Sequence, residues 1–299
     1  MGGNSLPVPC EAGTYNMEEM QTSCTTCPAG FICSPGGVVD YANGTFYATL
    51  GLHACADPEG GAREWVTQVG SNGTELAGSV AKDANDNIFV SGITSGSLDG
   101  EAHAGSFDVF VAKHDRGGRR LWTRLIGTNE DDAAEGLVVD DDGAVYVGVR
   151  QASGTSMVVK LDSCGDQGWN VTVGPLAKYS TLGLAQAGEY LHVSWKSKAD
   201  NESYVSCLNL QGIQKWSSAV ESAPSSLIRR ISTDNDMNLY VLGEADGLNR
   251  TGFGGLDGFL VKLNSSGSVL WSRSFGTPSN DFVRGLDSDT TGVYVVGYT

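Results

Sequence analysis

From residue 64 onward, apolar and polar residues alternate in short runs, the period-two pattern of β-strands that bury one face at a time. Asp, Asn and Gly clusters separate the runs, as in DANDN from Asp83, DDDG from Asp140, DNDMN from Asp234 and DSDTTG from Asp287. Such residues close tight turns, because Gly adopts positive φ without strain and Asp and Asn side chains accept local backbone hydrogen bonds. No run carries the long 3.6-residue periodicity of an amphipathic helix. The pattern predicts an all-β chain of many short antiparallel strands.

Tryptophan sets the period. Trp65, Trp122, Trp169, Trp216 and Trp271 are 57, 47, 47 and 55 residues apart. Each opens a short strand, four times as W-x4-G: WVTQVG, WTRLIG, WNVTVG and WSRSFG. An Asp-turn hairpin follows, and then a strand such as FDVFVAK, SMVVK, YVSC or LDGFLVK. Its last residue (Lys113, Lys160, Cys207 or Lys262) stands nine positions before the next Trp. One unit thus holds four strands, and four-stranded units at this spacing predict the blades of a β-propeller. The third unit, Trp169 to Lys215, has lost the hairpin wording, and its assignment rests on spacing. The Trp residues are read as blade-packing wedges, since a large apolar ring once per unit buries most between stacked sheets. Four complete units are expected with a split or truncated fifth, whose missing strands residues 51–69 would supply if the ring closes.

The repeat wording, roughly W…G, then D-x-x-G-N-V-Y-V-x-G, then D-x-F-V-x-K-L, resembles the SBBP family of β-propeller repeats over residues 64–299. That resemblance implies a propeller and export, and implies no chemistry. The segment before it differs in kind. Five of the seven Cys lie in the first 55 residues, and Cys10, Cys24, Cys27 and Cys33 follow C-x13-C-x2-C-x5-C. So short a segment buries too little apolar surface to fold unaided, so disulfides are expected. Zinc is the competing reading, but His53 stands without finger-like spacing. The CEAGTY and CTTCPAGF wording resembles an ephrin-receptor-like (tumour-necrosis-factor-receptor-like) cysteine-rich module, which implies a Cys10–Cys24 pair. The expected organisation is a cysteine-rich module at 1–40, a linker or degenerate blade strand at 41–63, and the propeller at 64–299.

Charge and sequons narrow the setting. With 19 basic and 35 acidic residues the formal charge is −16, and no basic cluster fits a phosphate backbone, so nucleic acid is excluded as a partner. No apolar run is long enough for a membrane span within this chain. Glycosylation candidates are Asn43, Asn72, Asn170, Asn201, Asn249 and Asn264, which with the cysteines point to an extracellular or cell-surface protein. The N-terminus has no signal-peptide pattern, so any targeting element is expected outside this sequence.

Candidate chemistry is sparse. The hairpin carboxylates Asp83, Asp86, Asp140, Asp142, Asp234 and Asp236 offer hard oxygen ligands and are calcium candidates. None has EF-hand spacing, and a motif recurring once per blade is read first as turn chemistry. Asp108 and Asp257 precede the third strand and Lys113, Lys160 and Lys262 end it; each Lys is read as pairing with a hairpin carboxylate on the blade edge, the alternative being a ring of charge around the channel. His53, His103, His114 and His192 are scattered, and no nucleophile elbow, P-loop or dinucleotide fingerprint is present. The expectation is therefore no enzyme and no cofactor beyond calcium, but a binding, adhesion or surface-coat protein that presents its loops to a protein or glycan ligand. The alternatives are a membrane-receptor ectodomain and a propeller enzyme acting on polysaccharide.

Overall fold

The computed structural model describes Thr14–Tyr15, Thr25–Thr26 and residues 65–175, 182–220, 226–246, 255–289 and 292–299. The chain divides into two units, Met1–Glu64 and Trp65–Thr299. In the first, strands β1 (Thr14–Tyr15) and β2 (Thr25–Thr26) pair antiparallel. Cys10, Cys24, Cys27, Cys33, Asn43 and Asn249 lie outside the described residues.

The second unit is a series of antiparallel sheets, each a meander in chain order. Sheet one holds β3 (Glu75–Lys82), β4 (Ile88–Thr94), β5 (Asp108–His114) and β6 (Arg120–Ile126). Sheet two holds β7 (Asp132–Val139), β8 (Val145–Gln151), β9 (Thr155–Leu161) and β10 (Gln167–Pro175). Sheet three, where the sequence wording fails, is complete: β11 (Gly183–Ala187), β12 (Tyr190–Lys196), β13 (Ser203–Asn209) and β14 (Gln214–Ala219). Sheet four holds β15 (Leu227–Thr233), β16 (Leu239–Asp246), β17 (Leu256–Leu263) and β18 (Val269–Phe275), and a two-stranded fifth holds β19 (Phe282–Ser288) and β20 (Val293–Tyr298). First strands pack on first strands, β3 on β7, β7 on β11, β11 on β15 and β15 on β19. The arrangement is propeller-like.

The unit boundary moves by one strand from the sequence reading. Trp122, Trp169, Trp216 and Trp271 lie on the fourth strand of the sheet that precedes them, and Trp65 lies in no strand. A strand pairs with its hairpin neighbour, and β6 joins β5 through the short turn at 115–119, not β7.

The core is a succession of layers between sheets. Phe89, Val109 and Val111 of sheet one meet Val145, Val147 and Leu161 of sheet two. Tyr146 and Val158 meet Leu182, Leu191 and Val193. Val205 of sheet three meets Ile228, Val241 and Phe259 of sheet four. Middle strands are covered on both faces, so β5 is buried along its whole length. Each such Val, Leu or Phe contributes about 1.5–3 kcal/mol by leaving water.

Candidate binding site

Each complete sheet carries a row of side chains across its strands. In sheet one Phe89, Lys113 and Trp122 stand opposite one another; in sheet four Tyr240, Lys262 and Trp271 do. The ammonium of Lys113 lies 4.9 Å from the Phe89 ring centroid and that of Lys262 4.8 Å from Tyr240. Sheet three replaces the pair with His192 and Cys207, and the imidazole packs 5.8 Å from Trp216. Burial holds His192 neutral, with its pKa down at about 4.

The hairpin carboxylates at the head of each row serve their own turns. Asp83 Oδ1 accepts from the Asn85 and Asn87 N–H groups, and Oδ2 from the Asn87 side chain. Asp140 accepts from Asp142 N, Ala144 N and Tyr146 OH. Asp234 accepts from Asp236 N, Asn238, Tyr240 OH and Lys262 Nζ. Asp86 forms an exposed pair with Lys82, and Asp142 lines a groove of about 610 Å³ with Asp140, Glu189 and Lys215. Lys113 lies 3.9 Å from Asp83, whereas Lys160 donates to the Leu210 carbonyl. Of the sequons, Asn72, Asn170 and Asn201 are exposed, and Asn264 caps the turn at 264–268. Cys164 and Cys207 are free thiols, one exposed and one buried.

The charges that converge lie elsewhere, on the inner strands. Four of the five first strands contain a β-bulge, at Gly78, Glu135–Gly136, Arg229 and Arg284. A bulge inserts one residue, breaks the alternation and re-aims a side chain. Glu135 receives the Arg150 guanidinium at 2.6 Å, and burial raises its carboxyl above the usual range. In sheets four and five the bulge residues are both arginines, and they share one carboxylate. Glu244, 1% exposed, accepts from Arg229 Nε and Nη2 at 3.0 and 2.7 Å through Oε2, and from Val283 N and Arg284 Nη1 at 2.9 and 3.2 Å through Oε1. Arg284 Nη2 donates to Tyr298 OH at 2.7 Å, and its guanidinium lies over the Tyr298 and Phe282 rings.

Glu244 is fully used as the tie between the two sheets. The arginines are not: their side chains are 29% and 46% exposed, and Arg229 Nη1 and Arg284 Nε have no partner among the described residues. Two cations against one anion leave a local positive charge on a strongly acidic protein, beside the exposed Tyr298 ring. A planar guanidinium with open donors suits a carboxylate or sulfate. No motif search finds this group, since Arg229, Glu244 and Arg284 are met only by folding. The one local signal is a charge interrupting a strand's alternation.

No family model matches the chain. The regulatory protein FlaEY of Caulobacter vibrioides is 26% identical over 215 residues, covering 59% of this chain and 22% of that protein. The chain thus spans about a fifth of the curated relative's length. Among solved structures, Kuenenia stuttgartiensis hydrazine synthase matches with a TM-score of 0.50 at 9% identity, over 72% of each chain. A Hadza microbial sialidase matches at 0.43 and 11%, over 71% of this chain and 48% of that one. A polysaccharide lyase of family PL25, an ulvan lyase, matches at 0.43 and 13%, over 74% and 63%. The structure neighbours are β-propeller-like, and at these identities they show the fold alone. They also correct one expectation. A structure that shares this fold is named as a synthase, so the expectation of no enzyme does not follow from the absence of a familiar catalytic motif.

Proposed function

We propose that the chain is a propeller scaffold that binds an acidic glycan at the inner-strand site of Arg229, Arg284 and Tyr298. The observation that carries this reading is the shared carboxylate. Glu244 fixes both guanidinium groups in place, so little side-chain entropy remains to be lost on binding, while neutralising only one of the two charges. The open donors suit the carboxylate or sulfate of an acidic sugar, and Tyr298 offers the apolar face a pyranose ring stacks on. Nucleic acid is disfavoured by the overall charge of −16. The setting belongs to the same proposal: outside the cell, where the clustered cysteines of residues 10–33 oxidise.

The test is binding to a panel of uronic-acid, sulfated and neutral oligosaccharides, with Arg284→Gln alongside. Binding confined to acidic members and weakened at least tenfold in R284Q supports the reading. Equal binding to neutral members, or no effect of the substitution, refutes it.

A further inference from the structure

At the end of the second unit's sheets opposite the hairpin turns, two pairs of aspartates are buried with no cation paired to them among the described residues. Asp257 begins the third strand of sheet four, and Asp281 immediately precedes the first strand of sheet five. They are 1% and 9% exposed. Both point at Gly276: a Cβ there would be driven into Asp257 Oδ1 and would stand 3.0 Å from Asp281 Oδ2. Asp281 Oδ2 accepts from Thr277 N at 2.7 Å and from Thr277 Oγ1, but Asp257 Oδ1 has no hydrogen-bond partner among the described residues.

The same arrangement recurs between sheets one and two. Asp108 begins the third strand and Asp132 the first strand of the next sheet, at 1% and 2% exposure. A Cβ on Gly127 would collide with the Asp108 carboxylate. Asp132 Oδ2 accepts from Thr128 N and Oγ1, and Asp108 Oδ2 from Ala104 N. The other oxygen of each, Asp108 Oδ1 and Asp132 Oδ1, is without a partner among the described residues.

Fold alone does not demand these acids. Counting five residues back from the row positions Lys160 and Cys207 gives Thr155 and Glu202 in sheets two and three, and the matching first-strand positions are Leu182 and Ser226. Neither inner junction buries an acid pair, yet both sheets form. Where the pairs do occur, the surroundings add negative charge: Glu130 acts on Asp132, and Asp246 on Asp257. No Lys or Arg forms an ion pair with any of the four aspartates among the described residues. A buried carboxylate without a counter-charge costs several kcal/mol, and two together cost more. Glycine at 127 and 276 leaves room for the Asp108 and Asp257 carboxylates themselves, which lie where a Cβ would stand.

We infer that each pair, Asp108 with Asp132 and Asp257 with Asp281, holds a hard divalent cation, of which calcium is the natural occupant. The donors are all oxygen, which excludes soft-metal preference, and two carboxylates supply the charge that Ca²⁺ requires. The sites lie at sheet junctions, so the cation ties one sheet to the next. They are distinct from the hairpin carboxylates, whose oxygens are taken up by their own turns.

The experiment is calorimetric titration of the whole chain, stripped with chelator, with CaCl₂, together with terbium luminescence as a readout that needs no variant. The expected result is two ions per chain, a rise in thermal midpoint with calcium, and one ion per chain in Asp257→Asn or Asp108→Asn. Asn is nearly isosteric and relieves the repulsion, so either variant is expected to fold, with circular dichroism to check it. Absence of both heat and terbium emission at millimolar metal overturns the inference, as does binding that survives in the D108N/D257N double variant. A shared proton in place of a metal is recognised by stability that rises on acidification and ignores calcium; that result also overturns it.

Discussion

Trp122 donates its indole N–H to the carbonyl oxygen of Ser163 at 3.1 Å, reaching from the last strand of one sheet into a turn of the next. Lys113 Nζ donates to the same oxygen. The contact is a device, repeated by Trp65 to Arg116, Trp169 to Leu210 and Trp216 to Ser265 at 2.8–3.1 Å. In each case the ring lies against a turn glycine with positive φ: Gly118, Gly165, Gly212 or Gly267. The Asp or Asn opening that turn holds it shut, as Asp162 Oδ1 does by accepting from Cys164 N and Asp166 N. Sheets one, two and three are thus each fastened to the next by one large apolar ring and one hydrogen bond.

If that device fastens the sheets, its members differ in worth. Trp169→Leu is expected to cost about 3 kcal/mol, from lost burial and a cavity. Trp271 packs on Tyr240 but has no carbonyl partner among the described residues, so Trp271→Leu should cost about 1 kcal/mol less. Gly165→Ala places a methyl 2.9 Å from the Trp122 ring at φ +86° and should cost roughly 1–3 kcal/mol. Urea denaturation midpoints measure all three, and equal losses at Trp169 and Trp271 would remove the inter-sheet bond from the account.

Asp234 gives a pH signature. Burial opposes its ionisation, but the Asn238 side chain and N–H, Lys262 and Tyr240 outweigh that and hold the carboxyl down at about 2. A depressed pKa contributes stability that is full above the unfolded value, near 3.8, and is lost as pH falls through the folded one. The stability difference between the natural chain and Asp234→Asn should therefore be about 2 kcal/mol at pH 7 and shrink between roughly pH 4 and pH 2. A difference constant over that window would show that Asp234 is not held ionised by this network.

The two thiols should part company under alkylation. Cys164 is exposed in the turn at 162–166, whereas Cys207 is buried and its thiol is pushed up to about 11 by desolvation. Since the thiolate is the nucleophile, iodoacetamide at pH 8 should modify Cys164 at least tenfold faster than Cys207 in the folded chain. Peptide mass mapping reads the ratio, and denaturant should abolish it.

The strands and turns were legible in the sequence because period-two burial and Asx turns are local. The third sheet was legible only by spacing, since His192 and Cys207 stand where other sheets carry an aromatic and a Lys. Trp65, Trp122 and their successors were visible as a repeat, but the place of Trp122, Trp169, Trp216 and Trp271 on fourth strands was not. That assignment depends on which neighbour a strand pairs with, and a turn of five residues decides it. Arg229, Glu244 and Arg284 left almost no trace, because a bulge removes its residue from the alternation and the partner lies on another strand. The burial of Asp108 and Asp257 was not legible from their place before the third strand. Their burial follows from the next sheet covering the junction, which no local pattern reports.

Glu244 allows a test in which stability and binding move in opposite directions. It is buried and accepts four hydrogen bonds, so Glu244→Gln should cost about 1–3 kcal/mol by weakening charge-assisted bonds to Arg229, Arg284 and the Val283 N–H. The same change removes the one anion that, among the described residues, pairs with the arginines, so affinity for an acidic oligosaccharide should rise severalfold at low salt. Arg284→Gln should do the reverse: its side chain is 46% exposed, so its loss should cost under about 1 kcal/mol, while acidic-glycan binding falls at least tenfold. A thermal melt and a calorimetric titration on both variants measure the four quantities. Parallel loss of binding in E244Q and R284Q would mean that the carboxylate orients the arginines more than it neutralises them, and the electrostatic part of the argument would have to be given up.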